Sequence, residues 1–161
     1  MSTKPLRIGI IGLDTSHSSA FAKIFNQGAL GEALDNCRVV AAVAQGSREL
    51  ASSVERVPVI SRQVKALGME IVPSIERLLD RVDCVMLESN DGRVHLEQAL
   101  PVLRRGLPLF VDKPFAASLA DVVAIYEAGE QFGTPVFTSS ALRYAEGVAA
   151  VRSGAVGEVV G

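Results

Sequence analysis

A recurring pattern constrains this chain more than any other feature. A short, almost wholly apolar run is closed by glycine or a polar cluster, and a segment with apolar residues at helical spacing follows. The runs are 7–12 (RIGIIG), 37–44 (CRVVAAVA), 70–72 (EIV), 83–88 (DCVMLE), 109–112 (LFVD) and 135–138 (PVFT). A strand that is apolar throughout is buried on both faces, which is the state of parallel strands covered by helices on each side. Right-handed crossovers between such strands then give an α/β fold with a doubly wound, mainly parallel sheet.

The intervening segments carry helix signals. Residues 17–27 place Ala20, Phe21, Ile24 and Phe25 at helical spacing, with Asp14, Thr15 and Ser16 as N-cap candidates and Gly28 and Gly31 as stops. Two helices are expected over 48–55 and 60–67, separated by Pro58, and a short one after Ser74 as far as Leu79. Residues 94–104 read as a helix that Pro101 should kink or interrupt. Ser118 should cap a helix to about Phe132 with Leu119, Val122, Val123 and Ile125 on one side, and a last helix is expected over 141–152. The tail Ala155 to Gly161 reads as a turn and the first residues of a new strand, so 1–154 is expected to be one domain and 155–161 the beginning of another.

Bulk properties narrow the function. A net charge of −2 gives no electrostatic case for nucleic acid or an anionic membrane. No apolar run approaches the roughly 18 residues of a membrane span, and the N-terminal apolar run is too short and glycine-rich for a signal peptide. Cys37 and Cys84 lie in apolar runs, so buried free thiols in a reducing cytoplasm are expected. Neither cysteine nor either histidine, His17 or His95, has a partner at metal-ligand spacing, so no metal site is expected.

Chemistry is expected where strands end, because open α/β sheets bind ligands at the carboxyl edge. Gly12-Leu13-Asp14-Thr15-Ser16-His17 stands where a dinucleotide fingerprint belongs, between the first strand and the first helix. Asp14 and His17 occupy positions that the fingerprint gives to small residues. A carboxylate there repels a phosphate, while the helix N-terminus and the Thr15 and Ser16 hydroxyls can donate to one. The alternative is a polar cap on a structural helix. After the second strand, Gln45-Gly46-Ser47-Arg48 lacks the usual ribose-binding acid, and Arg48 could accept a 2′-phosphate, which favours NADP over NAD. A solvated turn fits equally well. Glu88-Ser89-Asn90 follows the fourth strand, and His95 shortly after is with Lys113 a catalytic candidate, the alternative being a structural histidine on a helix. Asp112-Lys113-Pro114 follows the fifth, so Lys113 is held at a strand's carboxyl end. Arg143 and Tyr144, after the sixth, could bind an anionic or sugar-like substrate, or simply be an exposed pair. No nucleophile elbow is present, so hydrolase chemistry has no support.

Three blocks together, RIGIIGLDTSH, VDCVMLESNDGRVHLEQALPVLRRGLPLFVDKPFA and SGAVGEVVG, resemble the N-terminal domain of the Gfo/Idh/MocA oxidoreductases. The resemblance spans the whole chain, and its most specific part is the Lys-Pro block, here Asp112-Lys113-Pro114. It implies a Rossmann fold binding NAD or NADP, with Lys113 near the nicotinamide and the substrate hydroxyl and Asp112 and Pro114 shaping the turn. It implies that Ser89 and Asn90 line the nicotinamide ribose, and that His95 lies on the following helix. In such enzymes hydride passes between a sugar or cyclitol carbon and the nicotinamide, and the usual acid/base residue sits in a second domain. The chain is therefore expected to be the cofactor-binding part of an NAD(P)-dependent oxidoreductase acting on a hydroxylated small molecule. By itself it should turn nothing over, and it should self-associate into a dimer or larger. A cofactor-free Rossmann-like domain for ligand sensing or docking is the alternative.

Overall fold

In the computed structural model, which describes residues 4–28, 34 and 36–158, each apolar run becomes a strand of one sheet. The strands are β1 (Leu6–Ile11), β2 (Cys37–Val43), β3 (Glu70–Val72), β4 (Cys84–Leu87), β5 (Leu109–Val111) and β6 (Val136–Phe137). The helices between and after them are α1 (Ser16–Gln27), α2 (Ala51–Ala66), α3 (Ile75–Leu79), α4 (His95–Arg104), α5 (Leu119–Gln131) and α6 (Glu146–Arg152). Every strand pair is parallel and the order is β3-β2-β1-β4-β5-β6. This is the strand order of the doubly wound dinucleotide-binding sheet, whose order reverses between β1 and β4. Ile11 is level with Val43 on one side and Leu87 on the other, and Leu87 is level with Val111. The loops after β1, β2, β4 and β5 therefore emerge along one edge.

Both faces are packed, as continuous apolar strands require. On one, Ile11, Val43, Leu87 and Val111 meet Leu78 of α3, Leu103 of α4 and Ile125 of α5. On the other, Ile8, Ile10 and Val39 meet Ala22 of α1 and Ile60 and Val64 of α2. That second layer stops short of the β5–β6 side. There Phe110 meets Phe21 edge to face and Phe137 in a tilted ring contact, Phe137 stays exposed, and a hollow of about 680 Å³ remains over Cys84, Met86 and Phe110. Both cysteines are free and line this hollow half-buried, less enclosed than their apolar runs suggested.

Several expectations are corrected. Pro58 does not divide two helices; α2 runs unbroken from Ala51 to Ala66, and α4 likewise runs through Pro101. A helical proline deprives the carbonyl four residues earlier of its donor. Those residues, Val54 and Glu97, are exposed, so water can serve their carbonyls. The buried residues on either side, Ser53 and Ile60 in α2 and Ala99 and Val102 in α4, hold both halves to the sheet. Leu119 and Val123 of α5 face solvent, and the packed face is Ile125, Ala128 and Gly129. The segment 141–152 is a 3-10 turn, Ala141–Tyr144, followed by α6. Residues 155–158 of the tail expected to turn and begin a strand hold turn and coil, while Gly31 and residues 159–161 lie outside the described residues. Among the described residues no helix is long and apolar enough to cross a membrane.

Candidate functional site at the carboxyl edge

Gly12 ends β1 with φ +94°, a left-handed conformation that side chains rarely adopt. A Cβ there would lie 2.4 Å from the Ser89 backbone nitrogen. Its missing side chain thus lets the loops after β1 and β4 touch. Leu13 is fully buried and belongs to the core. Thr15 is the N-cap of α1, its Oγ1 accepting the His17 amide at 3.4 Å, while Ser16 is exposed beside it.

Asp14 has no exposure at all. One carboxylate oxygen accepts from the Ser53 hydroxyl at 2.7 Å and the other from the Asn90 backbone amide at 3.0 Å. The acid at the fingerprint's second position is thus a tie between α2 and the loop after β4. Its charge is buried and faces two donors of the fold.

The ends of β2, β3 and β4 enclose a cleft of about 760 Å³ whose lining includes Gln45, Ser47, Arg48, Pro73, Asp91 and Gln98. Ser47 is buried and Arg48 is exposed. Gln98 donates to the Gln45 side chain at 2.9 Å, and its own Oε1 is a buried acceptor with no partner. Arg93 is committed, with Nη2 2.7 Å from Asp91 and Nη1 2.7 Å from Glu49. The Arg93 guanidinium is the first cause holding the Asp91 carboxyl well below the usual carboxylate range.

Further along the edge three side chains converge. His17 Nδ1 lies 2.6 Å from Asp112 Oδ2, and Glu88 brings a carboxylate oxygen to within 4.8 Å of both ligand atoms. Glu88 is fully buried and neither of its oxygens has a hydrogen-bond partner among the described residues. Burial first, and then the nearby Asp112 carboxylate, pushes its carboxyl up to about 8. Lys113 Nζ is 3.8 Å from Asp112 Oδ2, too long for a hydrogen bond, and the lysine side chain is half exposed. The Lys113–Pro114 peptide bond is cis.

The sequence profile of the Gfo/Idh/MocA group, described as an oxidoreductase family with an NAD-binding Rossmann fold, matches residues 6–140. The chain belongs to this family. No curated protein matches it. Among solved structures it is similar to the WlbA dehydrogenase from Chromobacterium violaceum in complex with NADH and UDP-GlcNAcA (TM-score 0.71, 13% identity, 96% of this chain and 40% of that one). It is also similar to a probable dehydrogenase from Thermotoga maritima (TM-score 0.68, 22% identity, 94% and 41%). A third is the scyllo-inositol dehydrogenase from Lactobacillus casei with bound NAD(H) and scyllo-inositol (TM-score 0.67, 17% identity, 96% and 43%). At such identities the likeness shows a shared fold, and the chain spans about two-fifths of the length of these structures.

Within this Gfo/Idh/MocA domain, the sequence-predicted residues divide into groups. His17, Glu88, Asp112 and Lys113 are gathered at one place, and Ser47 and Arg48 line the cleft. His95 is not on the open edge. It is fully buried, with Nε2 2.7 Å from the Ser89 carbonyl and Nδ1 3.0 Å from the Phe115 carbonyl. It clamps the loop after β4 to the turn after Lys113-Pro114. Arg143 and Tyr144 lie apart, exposed in the 3-10 turn, where the Tyr144 hydroxyl is 3.4 Å from Ser139 Oγ and its ring borders the apolar hollow. Sequence reasoning missed Ser53 and Gln98, whose partners are 39 and 53 positions away. The Asp91–Arg93 contact, two positions apart, had a legible signal in the Asp-Gly-Arg spacing.

Proposed function

We propose that this chain is the cofactor-binding part of an NAD(P)-dependent oxidoreductase that moves hydride to or from a carbon of a sugar-like or other hydroxylated small molecule. The observation that carries the reading is the edge itself. In a sheet of order β3-β2-β1-β4-β5-β6, an adenosine-sized cleft at one end and the half-exposed Lys113 at the other flank the order reversal. The residues present fit a dinucleotide. The cleft offers an unpartnered buried acceptor, Gln98 Oε1, to a ribose hydroxyl or adenine amine. Asp14, the feature most hostile to phosphate, is buried with each carboxylate oxygen engaged by a donor of the fold.

When bound, the nicotinamide would accept or supply the hydride. In this reading the α1 N-terminus, with Thr15 and Ser16, receives the pyrophosphate beside Gly12, Leu13 and His17. Ser47 and Arg48 meet the adenosine ribose, and with no acid following β2, Arg48 tips the choice slightly towards a 2′-phosphate. Glu88, Ser89 and Asn90 border the nicotinamide ribose. Lys113 orients the reacting hydroxyl, held at its strand end by Asp112 and Pro114, and His95 is a positioning residue that fixes the two loops around it. Arg143 and Tyr144 would meet substrate from the far side of the sheet. UDP-GlcNAcA and scyllo-inositol, bound by two structures of this fold, support a polyhydroxylated substrate.

Calorimetric titration of the chain with NADPH and NADH tests this. Saturable binding of either, on the order of micromolar, is expected. Arg48→Ala should weaken NADPH roughly tenfold, about 1.4 kcal/mol, and leave NADH unchanged. No binding of either by the folded chain would favour a sensing or docking domain instead.

A further inference from the structure

The first turn of α1 and the ends of β4 and β5, far apart in sequence, deliver His17, Glu88 and Asp112 to one spot, with one potential ligand atom from each within 4.8 Å of the others. His17 and Asp112 account for each other at 2.6 Å. Glu88 is unaccounted for, since its carboxylate is fully buried and both oxygens lack partners among the described residues. An unpaired buried carboxylate is costly enough that native structures either neutralise it or use it to hold a cation. Lys113 forms no ion pair with Glu88: the half-exposed ammonium lies 3.8 Å from Asp112 and offsets the Glu88 charge only in part.

We propose that His17, Glu88 and Asp112 form a binding site for one divalent transition-metal ion of the zinc or cobalt kind. One imidazole nitrogen with two carboxylate oxygens is a mixed set that suits such ions, whereas magnesium and calcium take oxygen ligands. A dication also balances the two carboxylate charges. Neighbouring ligand atoms of one ion, each about 2.1 Å from it, stand roughly 3 Å apart. The 2.6 Å between His17 and Asp112 is therefore the spacing of a shared proton, which the ion displaces as it moves the two atoms slightly apart. His17 is the most exposed of the three, with 34% of its side chain accessible. The remaining coordination positions open on that side, to water or to an oxygen of a bound small molecule. The site goes beyond the redox reading and requires no dinucleotide.

Titrating the chelator-stripped chain with Co²⁺ at about pH 8, where the ligands lose protons readily, tests it by calorimetry and visible absorption. Expected are one ion per chain, d–d bands without a thiolate charge-transfer band, and displacement by Zn²⁺. Glu88→Gln, which keeps the shape of the side chain, should weaken binding at least tenfold with an unchanged circular-dichroism spectrum, and His17→Ala should do the same. No saturation by millimolar Co²⁺ in the folded chain would overturn the proposal, as would unchanged affinity in Glu88→Gln. A thiolate-to-cobalt band abolished by Cys84→Ser would put the ion on the cysteines and overturn it too. Repeating the dinucleotide titration in chelator separates failure of this site from failure of the cofactor reading.

Discussion

Asp83 and Glu88 stand at opposite ends of one four-residue strand, β4, and the fold treats them in opposite ways. At the amino end Asp83 receives three hydrogen bonds from Arg7, from its backbone nitrogen at 2.9 Å, Nε at 3.0 Å and Nη2 at 2.6 Å. Those bonds hold its carboxyl down at about 2. At the carboxyl end Glu88 receives none, and burial beside Asp112 pushes it up to about 8. Two acids in one strand's flanks thus diverge because one edge of the sheet is finished with matched charges while the other is left with a mismatch. The unfinished edge is where this fold takes its ligands, and perturbed acids gather at such places.

The largest break in that contrast comes from removing the close approach that builds the carboxyl edge. Gly12→Val puts a β-branched residue at φ +94° with its Cβ 2.4 Å from the Ser89 backbone nitrogen. Loss of about 3 kcal/mol or more, or failure to fold, is expected. Gly9, inside β1, offers a control, since the atoms nearest to a Cβ there belong to the flexible Leu78 side chain, at 3.0 Å and beyond. Urea denaturation should rank Gly9→Ala far below Gly12→Val. Equal losses would mean that the edge is no more tightly built than the strand behind it. Gly12→Val is for the same reason a poor probe of cofactor binding, as it unmakes the site.

Comparable in size, but spread over a pH window rather than present at every pH, is the effect of Glu88→Gln, read in metal-free protein. Folded Glu88 holds its proton up to about 8 against an ordinary value of 4.5, so folding takes up a proton within that window. Stability is greatest at its acid end, falls as pH rises through it, and levels off above it. The fall attributable to this group is on the order of 4 kcal/mol. Glu88→Gln should abolish the slope and make the variant the more stable protein at pH 9. Parallel wild-type and variant Tm profiles would show that Glu88 finds a partner after all.

The contrast between the edges also marks what the sequence could tell. The sheet was legible because its signals are local, since each strand is its own apolar run and Thr15, Ser74 and Ser118 cap their helices through side chains two or three residues from the amides they accept. Lys113 was legible because a strand running into a proline places it. The prolines misled for a local reason too: whether Pro58 breaks a helix depends on whether Val54 faces water, which only packing decides. The site was legible as a list of strand ends and illegible as an arrangement. Nothing in the spacing of His17, Glu88 and Asp112 signals a cluster, because a helix start and two strand ends assemble it. His95 reads like a catalytic residue until two backbone carbonyls are found against its ring. Asp14 reads like a defect until Ser53 and Asn90 are found beside it.

The smallest effect belongs to the finished edge. Asp83→Asn removes the charge but retains an oxygen for the Arg7 backbone amide, so the bidentate grip on the guanidinium is what is lost. Asp83 and Arg7 are both about a third exposed (37% and 34% of their side chains), so solvent screens the pair. The cost should then be about 1 kcal/mol near neutral pH. Folding depresses the Asp83 carboxyl from 3.8 to about 2. Its contribution is therefore complete above 3.8 and disappears as pH falls to 2, opposite in sense to the Glu88 slope. Wild type and Asp83→Asn should converge in acid and separate above pH 4, and added salt should narrow the gap. A loss of several kcal/mol, insensitive to salt, would mean that the amino edge is held as tightly as the carboxyl edge and that the contrast lies in charge alone.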